Sequence, residues 1–163
     1  MEETVVAKSP EVQAVKRNEK KWTPTLMKAG WSAFPNIIIE KQRALGLDAL
    51  DMNILLHLVQ YWWLEENVPH PSVGTIAEAL NVTTRTIQKR ITRLQNANLI
   101  TREERRTSKF GSQTNLYRFD GLIKACQPFA EEKLAEMKKK AEDTEARVKR
   151  KKPKLVVNND AKT

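Results

Sequence analysis

The chain is poor in most residues that cross-linking, metal binding or covalent catalysis would require. Its single cysteine, Cys126, permits no internal disulfide and fits a reducing compartment. The two histidines, His57 and His70, stand far from any carboxylate cluster at ligand spacing, so neither a metal site nor a cofactor is expected. Five glycines in 163 residues leave no Gly-rich loop to cradle a nucleotide. No nucleophile–base pair is evident either, and an enzyme is not expected. No apolar run approaches the ~20 residues that cross a bilayer. The opening residues, MEETVVAKSP, lack the apolar stretch of a signal peptide. A cytoplasmic protein without a membrane partner is the expectation.

Positive charge is abundant. The 29 Lys and Arg residues exceed the 20 Asp and Glu and leave a net charge of +9, which suits a polyanionic partner. Composition divides the chain into a polar, disordered or loosely docked tail over 1–21, a folded domain over 22–125, a charged helix over 126–152 and a disordered tail over 153–163.

Residues 71–100, PSVGTIAEALNVTTRTIQKRITRLQNANLI, read as two short helices joined by a tight turn. Ser72 is a natural N-cap whose hydroxyl reaches the Thr75 N–H, and Thr83 caps the second helix in the same way. Asn81 and Asn98 fall where left-handed backbone is needed, a conformation that asparagine tolerates better than most residues. Ile87, Ile91 and Leu94 share the apolar face of the second helix. Arg85, Lys89 and Thr92 point the other way, flanked by Gln88 and Arg93. A solvated helix face carries similar residues, but the next segment favours a nucleic-acid surface. Residues 100–119 alternate like a hairpin and carry Arg102, Arg105, Arg106, Lys109 and Arg118, with turn residues around Gly111. Tyr117 and Phe119 alternate onto one side of its second strand and should pack on the helices.

Upstream, the segment WTPTLMKAGWSAF reads as an irregular or extended piece with Trp22 and Trp31 as packing anchors. Residues 36–45 predict a short helix ending at Gly46, with a strand as rival because of three consecutive isoleucines. Residues 47–66 predict the main hydrophobic helix, capped by Asp48, with Leu50, Ile54, Leu58 and Trp62 in one row. Tyr61, Trp62 and Trp63 are read as packing residues rather than a base-stacking platform. After the hairpin, a short helix begins near Leu122, Pro128 interrupts it, and the following residues run helical toward Pro153. Leu134, Met137, Ala141, Thr144 and Val148 form a weak heptad seam, through which two copies could pair as a homodimer. A single solvated helix is the competing description.

PSVGTIAEALNVTTRTIQKRITRLQNANLI followed by TNLYRF resembles the winged helix-turn-helix domains of bacterial transcription regulators and of plasmid and phage replication initiators. The resemblance spans residues 34–123. It departs from the usual motif where Asn81 and Asn98 replace glycine. It implies a mainly α fold with a small β-hairpin wing, a winged helix-turn-helix plus a long C-terminal helix. The implied partner is double-stranded DNA, with helix 84–97 in the major groove and the wing on backbone or minor groove. Thr84, Arg85, Gln88 and Lys89 would read bases. Ser72, Thr75, Thr92, Arg93, Arg105, Arg106 and Lys109 would hold the backbone. A sequence-specific transcriptional regulator is the leading expectation and a plasmid or phage replication initiator the alternative. A winged-helix protein-interaction adaptor is the reading from a different class.

Overall fold

The computed structural model describes residues 10–107 and 111–150. Among the described residues, seven helices and four short strands follow in order: α1 (Pro10–Trp22), α2 (Pro24–Ala29), α3 (Asn36–Glu40), α4 (Ala49–Val59), α5 (Val73–Ala79), α6 (Thr84–Asn96), β1 (Thr101–Glu103), β2 (Arg106–Thr107), β3 (Gly111–Ser112), β4 (Leu116–Arg118) and α7 (Asp120–Arg150). The fold is mainly helical with an antiparallel hairpin and a long C-terminal helix, as the sequence predicts.

The core forms where α4, α5 and α6 turn their apolar faces inward. Ile54, Leu55 and Leu58 of α4, Ile76 of α5, and Ile87, Ile91 and Leu94 of α6 are almost wholly excluded from water. Leu99, Ile100, Tyr117, Phe119, Leu122 and Cys126 complete the cluster, tying the hairpin and the start of α7 to the three helices. Burial pushes the Cys126 thiol pKa up, the opposite of what a nucleophile needs.

Local chemistry sets the boundaries of α5 and α6. Ser72 Oγ accepts from Thr75 N at 3.0 Å and starts α5. Asn81 turns the chain at φ 52°, and Thr83 Oγ1 accepts from Thr86 N at 3.2 Å to start α6. Asn98, at φ 54°, ends it.

Several elements depart from the sequence reading. The segment Pro10–Trp22, read as part of an unstructured or loosely docked tail, is helical. Most of its residues from 13 onward are exposed, so it carries no strong apolar stripe for sequence reading to detect. Pro24–Ala29 is a helix rather than an extended piece, capped by Thr23 and anchored by buried Met27. The helix expected over 36–45 stops at Glu40 and gives way to turns that end at Gly46, φ 69°. The main helix closes at Val59 rather than near 66. Trp62 therefore lies beyond it, stacked on Phe119 with ring centroids 5.2 Å apart. Carrying Trp62 toward the hairpin is a tertiary demand that the helical pattern does not encode. Finally, α7 runs through Pro128 without a break, so the boundary placed at 125/126 falls inside a helix. Pro128 and Lys124 are both exposed, and water can satisfy the carbonyl that proline leaves unpaired. The tail 153–163 lies outside the described residues, as do residues 1–9.

The hairpin consists of two ladders in different register. Glu103 faces Leu116 in the first, whereas Arg106 faces Ser112 in the second. Three residues on the return strand, 113–115, thus oppose 104 and 105, which is a β-bulge. On the outer edge, Tyr117 N donates to Pro69 O at 2.9 Å. Proline has no N–H to return, so this edge contact cannot grow into a third strand from that residue.

The entry to α7 is locked by a glycine. A Cβ on Gly121 would sit 1.8 Å from the Asn98 carbonyl oxygen, next to the bond from Leu122 N to Leu99 O at 2.8 Å. Backbone, not a flexible side chain, stands in the way. Gly121→Ala should therefore lower stability by about 1–3 kcal/mol, the usual cost of overpacking. The expected readout is a lower urea midpoint at unchanged slope.

Candidate nucleic-acid interface

The exposed face of α6 carries the four residues expected to read bases. Thr84, Arg85, Gln88 and Lys89 are all exposed, and Thr92 extends the row. Positions 85, 88, 89 and 92 recur at i, i+3, i+4 and i+7, so they form one stripe opposite buried Ile87, Ile91 and Leu94. Among the described residues, Arg85, Gln88, Lys89 and Thr92 have no hydrogen-bond or ion-pair partner. Their polar groups are free to meet a ligand without first breaking an internal bond. A row of Arg, Gln, Lys and Thr on a bare helix can present bidentate donors to base edges or single donors to phosphate.

Arg93 differs from these. Its guanidinium, although about half exposed, is engaged by internal acceptors: Nη1 lies 2.6 Å from Asp51 Oδ2 and 3.3 Å from Asp48 Oδ2, and Nη2 donates to Gly46 O at 2.8 Å. Arg90, one turn earlier, pairs with Asp48 and lies 3.6 Å from Asp51 Oδ1. The two arginines clamp α6 to the start of α4, where Asp48 and Asp51 form a reciprocal capping box. Asp51 is fully buried, and burial outweighs its partners to raise its pKa. Hydrogen bonding from the Asp51 backbone N–H lowers that of Asp48, with Arg90 helping. Arg93 thus clamps α6 to α4, and its donors are already engaged within the fold. The signal that could have revealed it is the pair of arginines three residues apart at the edge of the apolar stripe.

The hairpin residues divide. Arg105 donates from Nε to Thr114 O at 2.9 Å and from Nη2 to Thr114 Oγ1 at 3.0 Å, so it braces the bulge from within instead of reaching outward. Arg118 pairs with Glu103 at 2.5 Å across the first ladder. Arg106 lies on β2, paired with Ser112, and Lys109 lies outside the described residues. Ser72 and Thr75 stand at the start of α5, their hydroxyls 2.8 Å apart. A cleft of about 260 Å³ is lined by Ser72, Val73 and the wing residues Gln113–Asn115, which sets the α5 cap beside the braced bulge.

An apolar groove of about 690 Å³ is lined by residues from 33–38 and from α7, together with Trp62 and Phe119. Lys133 bonds Glu40 at 2.6 Å and Lys41 lies 5.4 Å from the centre of the Phe129 ring, fastening α7 to α3. Beyond these contacts Leu134, Met137 and Val148 are exposed. No group of His, Cys, Asp and Glu among the described residues is arranged to hold a metal ion. No helix among them is long and apolar enough to cross a membrane.

No curated protein matches the chain. The family model of the DnaD N-terminal domain, a winged-helix-like domain of replication initiation proteins, matches residues 34–140, which takes in α3 through most of α7. The match covers the capped helix pair, the hairpin and the long helix that the packing joins into one core, and the chain belongs to the DnaD N-terminal domain family.

Proposed function

We propose that this chain is a replication-initiation protein that binds double-stranded DNA through the bare face of α6, without catalysing a reaction itself. The single observation carrying the reading is the unpartnered stripe of Arg85, Gln88, Lys89 and Thr92 on a chain of net charge +9. In this reading α6 enters the major groove, with Thr84, Arg85, Gln88 and Lys89 at base edges and Thr92 on the backbone. Ser72 and Thr75 at the α5 cap, and Arg106 and Lys109 on the wing, track phosphate on either side. Family membership supports a replication role over the transcriptional regulator that the sequence alone favoured. Two copies joined along the exposed apolar residues of α7 would offer two such faces to one duplex.

Selection of bound duplexes from a random library tests the proposal. Enrichment of one motif is the expected result, and a pool as random after selection as before it would refute base reading. Arg106→Ala provides a second test. It should weaken all sequences alike and reduce the salt slope of log affinity by about 0.9, as expected for one phosphate contact. An unchanged slope in fluorescence anisotropy would remove Arg106 from the interface.

A further inference from the structure

Three indoles in this chain stand open to solvent. Trp22 is 55%, Trp31 45% and Trp63 61% exposed, although their positions in the sequence suggest packing anchors. Packing falls to Trp62, which stacks on Phe119 and donates from Nε1 to Glu65 O at 3.4 Å. The turn that carries Trp62 inward leaves Trp63 outside. The Cη2 atom of Trp63 lies 3.9 Å from where a Cβ on Gly30 would sit, and Trp31 follows Gly30 directly, so these two residues share one corner of the molecule. Trp22 is the last residue of α1, separated from Gly30 by the six-residue α2, about 9 Å of helix. The Lys21 ammonium sits 5.7 Å from the centre of its ring. Residues 13–31 carry Lys16, Arg17, Lys20, Lys21 and Lys28 against Glu19, whereas Glu65 and Glu66 follow Trp63, so the segment leading to Trp31 supplies the positive charge on this side of the indoles.

We propose that this corner binds single-stranded nucleic acid, with Trp31 and Trp63 stacking on unpaired bases and the lysines following the phosphates. Large aromatic side chains left in water forfeit the burial that normally stabilises them, and an aromatic surface of this kind gains by being covered. A polyanion is the partner that both the indoles and the surrounding cations can satisfy. Within a duplex each base face is covered by its neighbours, and only an unpaired strand offers a free face for an indole. The site uses no residue of α6 and goes beyond the duplex interface proposed above.

The test titrates the full chain against a fluorescein-labelled oligothymidylate, reading anisotropy and intrinsic indole emission together. Binding should quench the emission and shield the indoles from acrylamide, a readout that needs no variant. Trp31→Ala and Trp63→Ala should each weaken strand binding by about 5- to 150-fold, the loss expected for one base–aromatic stack. Trp63→Phe should retain most of the affinity. Absence of quenching, or unchanged affinity in both alanine variants, would overturn the proposal. So would phosphatidylserine vesicles that bind through the same tryptophans while the oligothymidylate does not.

Discussion

Arg93→Ala should lower the unfolding free energy by about 1.5–3 kcal/mol at pH 7, the usual cost of losing hydrogen bonds to a charged group, since Arg93 is itself half exposed and Arg90 stays 3.6 Å from Asp51 Oδ1. The variant weakens the pairing of the Asp51 carboxylate, which is fully buried and already resists ionisation because of desolvation. The pH dependence distinguishes this mechanism from a simple loss of packing. Burial raises the folded-state pKa of Asp51, so its charge weighs against folding as pH rises through that pKa, and the penalty lifts as pH falls and the group takes up a proton. Losing Arg93 should raise that pKa further. The deficit of Arg93→Ala should therefore shrink on acidification. The window lies above about pH 3.8, because Asp48 behaves oppositely: its lowered pKa contributes stability that is lost as pH falls through its folded-state value. Urea unfolding at several pH values, with Asp51→Asn as the second arm of a double-mutant cycle, measures both. Asp51→Asn should recover part of the loss at pH 7. A deficit constant from pH 4 to pH 8 would show that Arg93 does not act on that carboxylate.

Arg85→Ala should relax base choice at one position of the bound sequence and cost about 1–3 kcal/mol against the preferred base. Arg85 lies in the first turn of α6, exposed and without an internal partner among the described residues, so its removal should leave the core intact. Comparing matched and scrambled duplexes by anisotropy separates base reading from charge. Equal losses on both would make Arg85 a phosphate contact.

The α5–α6 pair was legible in the sequence almost residue by residue because its boundaries rest on short-range chemistry. Ser72 and Thr83 cap through hydroxyls that reach three residues ahead, and Asn81 and Asn98 take left-handed backbone. Features that depend on distant partners were less visible. The end of α4 at Val59 answers to the stacking of Trp62 on Phe119, a residue beyond the wing. The register step in the hairpin is braced by Arg105 on Thr114, and alternation alone does not specify a bulge. The place of Arg93 on the helical wheel does not reveal its two aspartate partners, more than 40 residues upstream. On the candidate interface, sequence periodicity located the stripe of Arg85, Gln88, Lys89 and Thr92. Only the packing shows which neighbouring arginines are already engaged.

Titration of a mixed-sequence labelled duplex at low ionic strength, with the unmodified chain and an Arg85→Ala/Lys89→Ala double variant, tests the central claim most directly. The α6 stripe predicts tight, salt-sensitive binding by the unmodified chain and a fall of at least about tenfold in the double variant, since each removed cation gives up a favourable phosphate or base contact. Equal affinities, or no binding by either protein at low salt, would contradict it.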